Sequence, residues 1–262
     1  VKKTLILAAA TALIFAACGS NANNNTNNNP VASPTPAEIP LSFETVKDSL
    51  DEKNLVIKVE YLRAKGKGSE TINEIIGKVL CDNLTMGDSA AQKLRNHKDM
   101  FAYLKKAQKE AYAEGDMGAM MEWGFELSMS NFYQSASYLC LSYSTYTYAG
   151  GAHPNTYSGF VNVDLNSNKE LSSSELVDSA KVMPAVHTAF REFWKGELEG
   201  TSSYEAAGFF VDKSNLPLPA NIGINDKKAI FYYNNYEIAA YVMGHTSLEV
   251  PLDKLAGGIK VK

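Results

Sequence analysis

NLVIKVEYLRAKGKGSETINEIIGKVLCDNL, residues 54–84, changes its period partway along. At first Leu55, Ile57, Val59 and Tyr61 alternate with Lys58 and Glu60, the two-residue period of a strand with one buried face. From Ser69, an N-cap residue, Ile72, Ile75, Ile76, Val79 and Leu80 recur at helical spacing, which predicts a helix to about Leu84. A strand running into a helix sets the class as mixed.

The pattern extends in both directions. Residues 89–114 read as a second helix, with Leu94, Phe101, Leu104 and Tyr112 among Lys and Glu, ended by Gly115 and Gly118. Two strand-like runs follow, 122–131 and 135–148; in the second, Leu139, Leu141 and Tyr143 alternate with Tyr138, Cys140 and Ser142. Val161, Val163 and Leu165 form another alternating run, closed by the turn signal Asn166-Ser167-Asn168. A helix is predicted over 174–197, broken in two by Pro184. Residues 208–211, 228–233 and the run TSLEVPLDKL from Thr246 read as strands. Regular βαβ alternation is absent. The reading is therefore α+β, antiparallel sheets with packed helices, in two intimately associated subdomains that meet near residue 150.

Toward the N-terminus, residues 1–17 have the form of a secretory signal peptide: Lys2 and Lys3, then an apolar run from Leu5 to Phe15, then Ala16 and Ala17. That run is too short to span a bilayer. Cys18, followed by Gly19 and Ser20, resembles the acylated cysteine of bacterial lipoproteins. The resemblance implies lipidation at Cys18, palmitate included, and anchoring in the cell-envelope membrane, facing the periplasm or the exterior. Residues 18–41 are Asn-rich and then Pro-rich, with little to bury, and read as a disordered tether.

Signal and tether leave about 220 residues, enough for one large domain or two small packed ones. The net charge is −4, without a basic stripe or interleaved aromatics, which excludes nucleic acid as a partner class. Cys81 and Cys140 are the remaining cysteines. In an exported chain they are open to two readings: a disulfide, or two buried thiols behaving as small hydrophobes.

YTYAGGAHPNTYSGFVNVDL, residues 146–165, poses the functional question. Gly150 and Gly151 permit backbone angles closed to other residues, and His153 with Pro154 fits a structural turn. The other reading has His153 facing a ligand. A catalytic histidine needs a nucleophile or carboxylate partner, and no G-x-S-x-G elbow is present. His97, His187 and His245 lack metal-ligand spacing, and no Lys-Ser/Thr follows Gly150-Gly151 to make a phosphate loop. No cofactor, metal or catalytic residue is therefore assigned. The tyrosines Tyr138, Tyr143, Tyr146, Tyr148, Tyr232, Tyr233, Tyr236 and Tyr241 fit either a stacking or interface patch or ordinary core packing. Asp164 with Glu237 is one pairing of acids that a glycosidase would require within about 10 Å.

Tyr148-Ala149-Gly150-Gly151-Ala152-His153 followed by Val161-Asn162-Val163-Asp164-Leu165 resembles the signature of the RsiV-like extracellular domain. Phe231 to Ala239, FYYNNYEIA, resembles its later Y-N-x-Y-E-I-A motif, and Leu248-Glu249-Val250-Pro251 its closing strand. Residues 42–149 are similar to the companion domain found before it in the PdaC/RsiV-like group, leaving 150–262 as the RsiV-like part. Asn235 stands where proline is common in that family. The group includes an anti-sigma factor whose external domain binds lysozyme, and proteins that join this region to a polysaccharide deacetylase. The present residues show neither a transmembrane or sigma-binding segment nor a deacetylase Asp/His motif, so neither role is expected. The resemblance implies an envelope binding protein, with a lysozyme-like hydrolase or a cell-wall glycan as ligand. A small glycan hydrolase is the alternative.

Overall fold

The computed structural model describes residues 41–115, 117–118 and 121–261. The signal peptide 1–17, Cys18 and residues 19–40 of the tether lie outside the described residues. Leu41, at the end of the expected tether, instead opens a strand and is buried.

β1 (Leu41–Glu52) and β2 (Leu55–Gly66) form a hairpin that turns at Asn54, a left-handed residue with φ 63°. α1 (Ser69–Leu84) and α2 (His97–Ala113) then cross over to β3 (Trp123–Gln134), which runs parallel to β2. A parallel neighbour requires such a long connection. β4 (Tyr138–Tyr148), β5 (Asn155–Asp164) and β6 (Lys169–Glu170) add on antiparallel, so the sheet order is sequential from β1 to β6. It continues without interruption across residue 150. α3 (Ser173–Leu176), α4 (Ser179–Phe193) and α5 (Lys195–Leu198) follow. β7 (Asn221–Ile224), β8 (Lys228–Tyr233) and β9 (Thr246–Pro251) make a second, antiparallel sheet. The α+β reading holds, with two sheets.

The large sheet separates two cores. On one face Leu55, Ile57, Val59, Phe125, Leu127, Leu141 and Val161 pack on Ile72, Ile76, Leu80, Met100 and Leu104 of α1 and α2. On the other face Tyr138 and Cys140 of β4 pack with Val182, Val186 and Phe190 of α4 and with Phe231, Leu248 and Val250 of the small sheet. Each fully buried side chain of this size contributes roughly 1.5–3 kcal/mol. The two sheets meet at Asn162, which accepts the Tyr138 hydroxyl at 2.5 Å and donates to the Ile222 carbonyl at 2.9 Å. Beside it the Phe160 ring occupies the space a side chain at residue 223 would need, so only glycine allows this approach.

Three expected elements are corrected. The second helix does not start at residue 89: a single 3-10 turn, Ser89–Ala91, precedes α2, and Asn96 caps α2 by accepting the Lys98 N–H at 2.8 Å. Pro184 does not break α4; the hydrogen bond it cannot make is to exposed Ala180, whose carbonyl water can satisfy. The helix breaks fall instead at Val177-Asp178 and at Trp194. Residues 208–211 are not a strand. Gly208 has φ 93°, Phe209 turns inward against Phe190 and Trp194, and Phe210 is 58% exposed.

Cys81 and Cys140 are both free and buried, so the disulfide reading is corrected. Cys81 lies in the α1 core and donates to the Ala91 carbonyl at 3.0 Å, whereas Cys140 points into the core on the opposite face of β4. The sheet stands between the two sulfurs, and a disulfide requires adjacent backbones. Burial pushes the Cys140 thiol up to about 11.

Candidate functional site

β4 ends at Tyr148 and the chain reverses through residues 149–154 into β5. Gly150 and Gly151 have φ of 89° and 100°. A Cβ on Gly150 would lie 2.6 Å from the Gly118 Cα, so the position excludes a side chain twice over. The Tyr148 hydroxyl donates to the Gly151 carbonyl at 3.1 Å and holds the reversal.

His153 is exposed at the end of this loop. Its Nδ1–H donates to the Pro154 carbonyl at 2.8 Å, and its Nε2 lies 3.3 Å from the Tyr236 hydroxyl, within hydrogen-bond distance. The ring stacks on Tyr241 with centroids 4.0 Å apart and planes at 22°. The Tyr241 hydroxyl donates to the same Pro154 carbonyl at 3.0 Å. Neither of the imidazole's hydrogen-bond partners is a carboxylate.

Tyr236 and Tyr241 come from the loop after β8. Asn234 anchors that loop: its backbone N–H reaches the Glu237 carboxylate at 3.0 Å, while its side-chain amide pairs with the backbone of Ser158 on β5. Tyr236 sits at φ 68°, a conformation unusual for a bulky residue, and its side chain is 54% exposed. Val242, in the 3-10 turn Tyr241–Met243, is 91% exposed. At the base of the loop the buried Asn235 Oδ1 has no hydrogen-bond partner among the described residues. His153, Tyr236 and Tyr241 thus join two loops separated by about 80 residues into one aromatic cluster, a knob beside which Val242 is exposed as the next residue after Tyr241.

The other candidates do not gather there. His97 bonds to Tyr61 and Asp48, His187 stacks on Tyr204, and His245 stacks on Tyr232. Among the described residues no group of three or more His, Cys, Asp or Glu is placed to hold a metal ion. The Asp164 carboxylate accepts from Asn166 N–H and the Ser167 hydroxyl, each at 2.9 Å, and shapes the β5–β6 turn. Glu237 is tied through Asn234 to Ser158, about 20 Å back along β5 from Asp164, too far for a glycosidase pair. The tyrosines divide between the two readings. Tyr138 and Tyr233 are core, Tyr143 stacks on Tyr157, and Tyr146 and Tyr236 are exposed.

The motifs Y-A-G-G-A-H and Y-N-N-Y-E-I-A identified both loops, but Val242 carried no signal in the sequence, because in the apolar run IAAYVMG nothing sets it apart from residues that are buried. The hold of Asn234 on Ser158 was also invisible, because it spans 76 residues.

Residues 49–156 match the family described as Deacetylase PdaC, and residues 186–253 match Protein of unknown function (DUF3298). The fold is similar to that of a DUF3298 family protein from Pseudomonas aeruginosa PAO1, at 17% identity and TM-score 0.58, covering 86% of this chain and 95% of that one. It is also similar to a DUF3298 family member from Bacteroides fragilis NCTC 9343, at 17% identity and TM-score 0.60, covering 84% and 93%. At this identity the likeness is one of fold. No curated protein matches the chain.

Proposed function

We propose that this chain, in which a PdaC domain leads into a DUF3298 domain, is a noncatalytic cell-envelope protein that binds an extracytoplasmic protein through the two-loop knob. One observation carries the reading: two distant loops spend glycine reversals, a left-handed tyrosine and a buried amide pair to hold an exposed aromatic surface in one arrangement. Rigid aromatic anchors dominate protein interfaces because they bury much area at small entropic cost. The partner to test first is a lysozyme-like hydrolase, and a cell-wall glycan is the second class. Cys18, lipidated, would fix the chain to the membrane, and the Asn/Pro-rich tether would hold the knob away from it.

Titration of the purified protein with lysozyme is expected to show saturable binding. Tyr236→Ala and Val242→Asp should each weaken it about tenfold or more while leaving the fold intact, since both side chains are exposed. Binding that survives both substitutions would rule out the knob. Glycan turnover abolished by His153→Ala would instead favour the hydrolase reading. Labelled palmitate should enter the wild type and not Cys18→Ala.

A further inference from the structure

The second sheet covers only part of the outer face of the large one, closing over it where Phe160 meets Gly223 and Asn162 meets Ile222. The rest, from β2 to β5, is bare. A solvent-facing sheet surface is ordinarily covered by long polar or β-branched side chains. Here the strands present Ser128, Ser130, Ser142, Ser144 and Ser158 instead, and the small side chains leave a trough. Ile230, Tyr232 and Ser247 of β8 and β9 stand along one side. Two contiguous hollows, of about 430 and 350 Å³, share Ser128, Ser144 and Ser158.

We propose that this trough is a binding site for a neutral oligosaccharide. Three observations converge on that ligand chemistry. The floor carries hydroxyls with capacity to spare: Ser130 and Ser142 bond each other at 2.9 Å, while Ser128 and Ser144, directly opposite in register, have no side-chain partner among the described residues. Each offers one donor and two acceptor positions. The charges in the trough are matched, Lys58 with Glu126 and Lys47 with Glu60, both at 2.9 Å. An ion-paired lining attracts neither anions nor cations, yet it still hydrogen-bonds a polyol. Tyr146 supplies a plate. Its ring edge lies 3.2 Å from where a Cβ on Gly124 would sit, so the missing side chain leaves the ring room, and Tyr146 is 37% exposed. An aromatic plate beside unpaired hydroxyls suits a sugar ring, whose C–H face stacks while its hydroxyls are bonded.

The trough is also long enough. Glu126 to Ser130 along β3 spans about 13 Å, room for a short oligosaccharide. Phe132, Phe160, Ile230 and Tyr232 add apolar surface at the end nearer the second sheet, while the floor itself is serine hydroxyls.

The test titrates the full protein with chitotetraose and cellotetraose, and with a galacturonate oligomer as the charged counterpart, by calorimetry. At least one neutral tetrasaccharide should bind saturably. Tyr146→Ala should weaken binding about tenfold, and Ser144→Arg, which fills the trough from an exposed position, should abolish it. Tyr236→Ala in the knob should leave it unchanged, which keeps this result separate from that of the protein-binding experiment. The proposal is overturned if neither neutral saccharide binds at millimolar concentration, if binding survives both trough substitutions, or if the charged oligomer binds more tightly.

Discussion

Asn234 pairs with Ser158 as one strand residue pairs with another: its side-chain oxygen accepts the Ser158 N–H at 2.8 Å and its side-chain nitrogen donates to the Ser158 carbonyl at 2.9 Å. The amide thereby docks the Tyr236 loop onto β5 beside His153. Asn234→Ala would leave two backbone groups unpaired in a largely buried place, each costing about 1–3 kcal/mol. The urea midpoint should fall accordingly. Asn234→Asp, which keeps an acceptor for the Ser158 N–H but sets a carboxylate against the Ser158 carbonyl and beside Glu237, should destabilise at least as much as alanine at neutral pH.

The junction between the sheets rests on Asn162. Removing its amide strands the Tyr138 hydroxyl and the Ile222 carbonyl, both buried. Asn162→Ala is expected to cost about 2–4 kcal/mol in denaturant unfolding. Asn162→Leu should not restore that loss even though it fills the space, because the two polar groups stay unmet.

The thiols should be silent in the native protein. Cys81 and Cys140 are each 1% exposed or less, and Cys140 titrates near 11, far above physiological pH. Thiol reagents at pH 8 should label neither residue until the chain unfolds, when both react. Stoichiometric labelling of the folded protein would contradict this placement.

Acid should loosen the attachment of β1 to α2. His97 takes the Tyr61 hydroxyl on Nδ1 at 3.0 Å and donates from Nε2 to Asp48 at 2.8 Å. That bond, and then the Ser49 N–H, hold the Asp48 carboxyl below 3.8. A carboxyl with a depressed folded pKa stabilises fully above its unfolded value and loses that contribution as pH falls through the folded one. Asp48→Asn should therefore be less stable than wild type at neutral pH, by about 1 kcal/mol or less given the partial exposure of Asp48. The gap should close as pH drops below 3.8.

The elements legible in the sequence were those with one fully buried face. β2 shows a clean period because Leu55, Ile57, Val59 and Tyr61 all enter the first core. β1 escaped notice because it is an edge strand whose residues are mostly half-buried or exposed, so LSFETVKDSLDE shows no dominant face. β7 is only four residues long and wholly buried, and alternation has nothing to mark. GFFV at 208–211 looked like a strand for the opposite reason: its apolar residues serve a turn that inserts Phe209 between Phe190 and Trp194. In the knob, the glycines, His153 and Tyr236 drew notice through composition and motif. Their meeting did not, since stacking of His153 on Tyr241 depends on how β5 and the β8 loop are brought side by side. The serine trough left no trace in sequence because it is a gap, made of residues that do little locally.

β4 divides its side chains between the two interiors, with Leu139 and Leu141 committed to one and Tyr138 and Cys140 to the other. Most exposed sheets tolerate a mispaired strand for a while, since one side of an error faces water. A one-residue slip of β4 would insert tyrosine and cysteine where leucines belong and the reverse, penalising the mistake on both sides at once. The strand acts as a proofreader of its own assembly, and the chain on either side of residue 150 inherits a correct alignment from it.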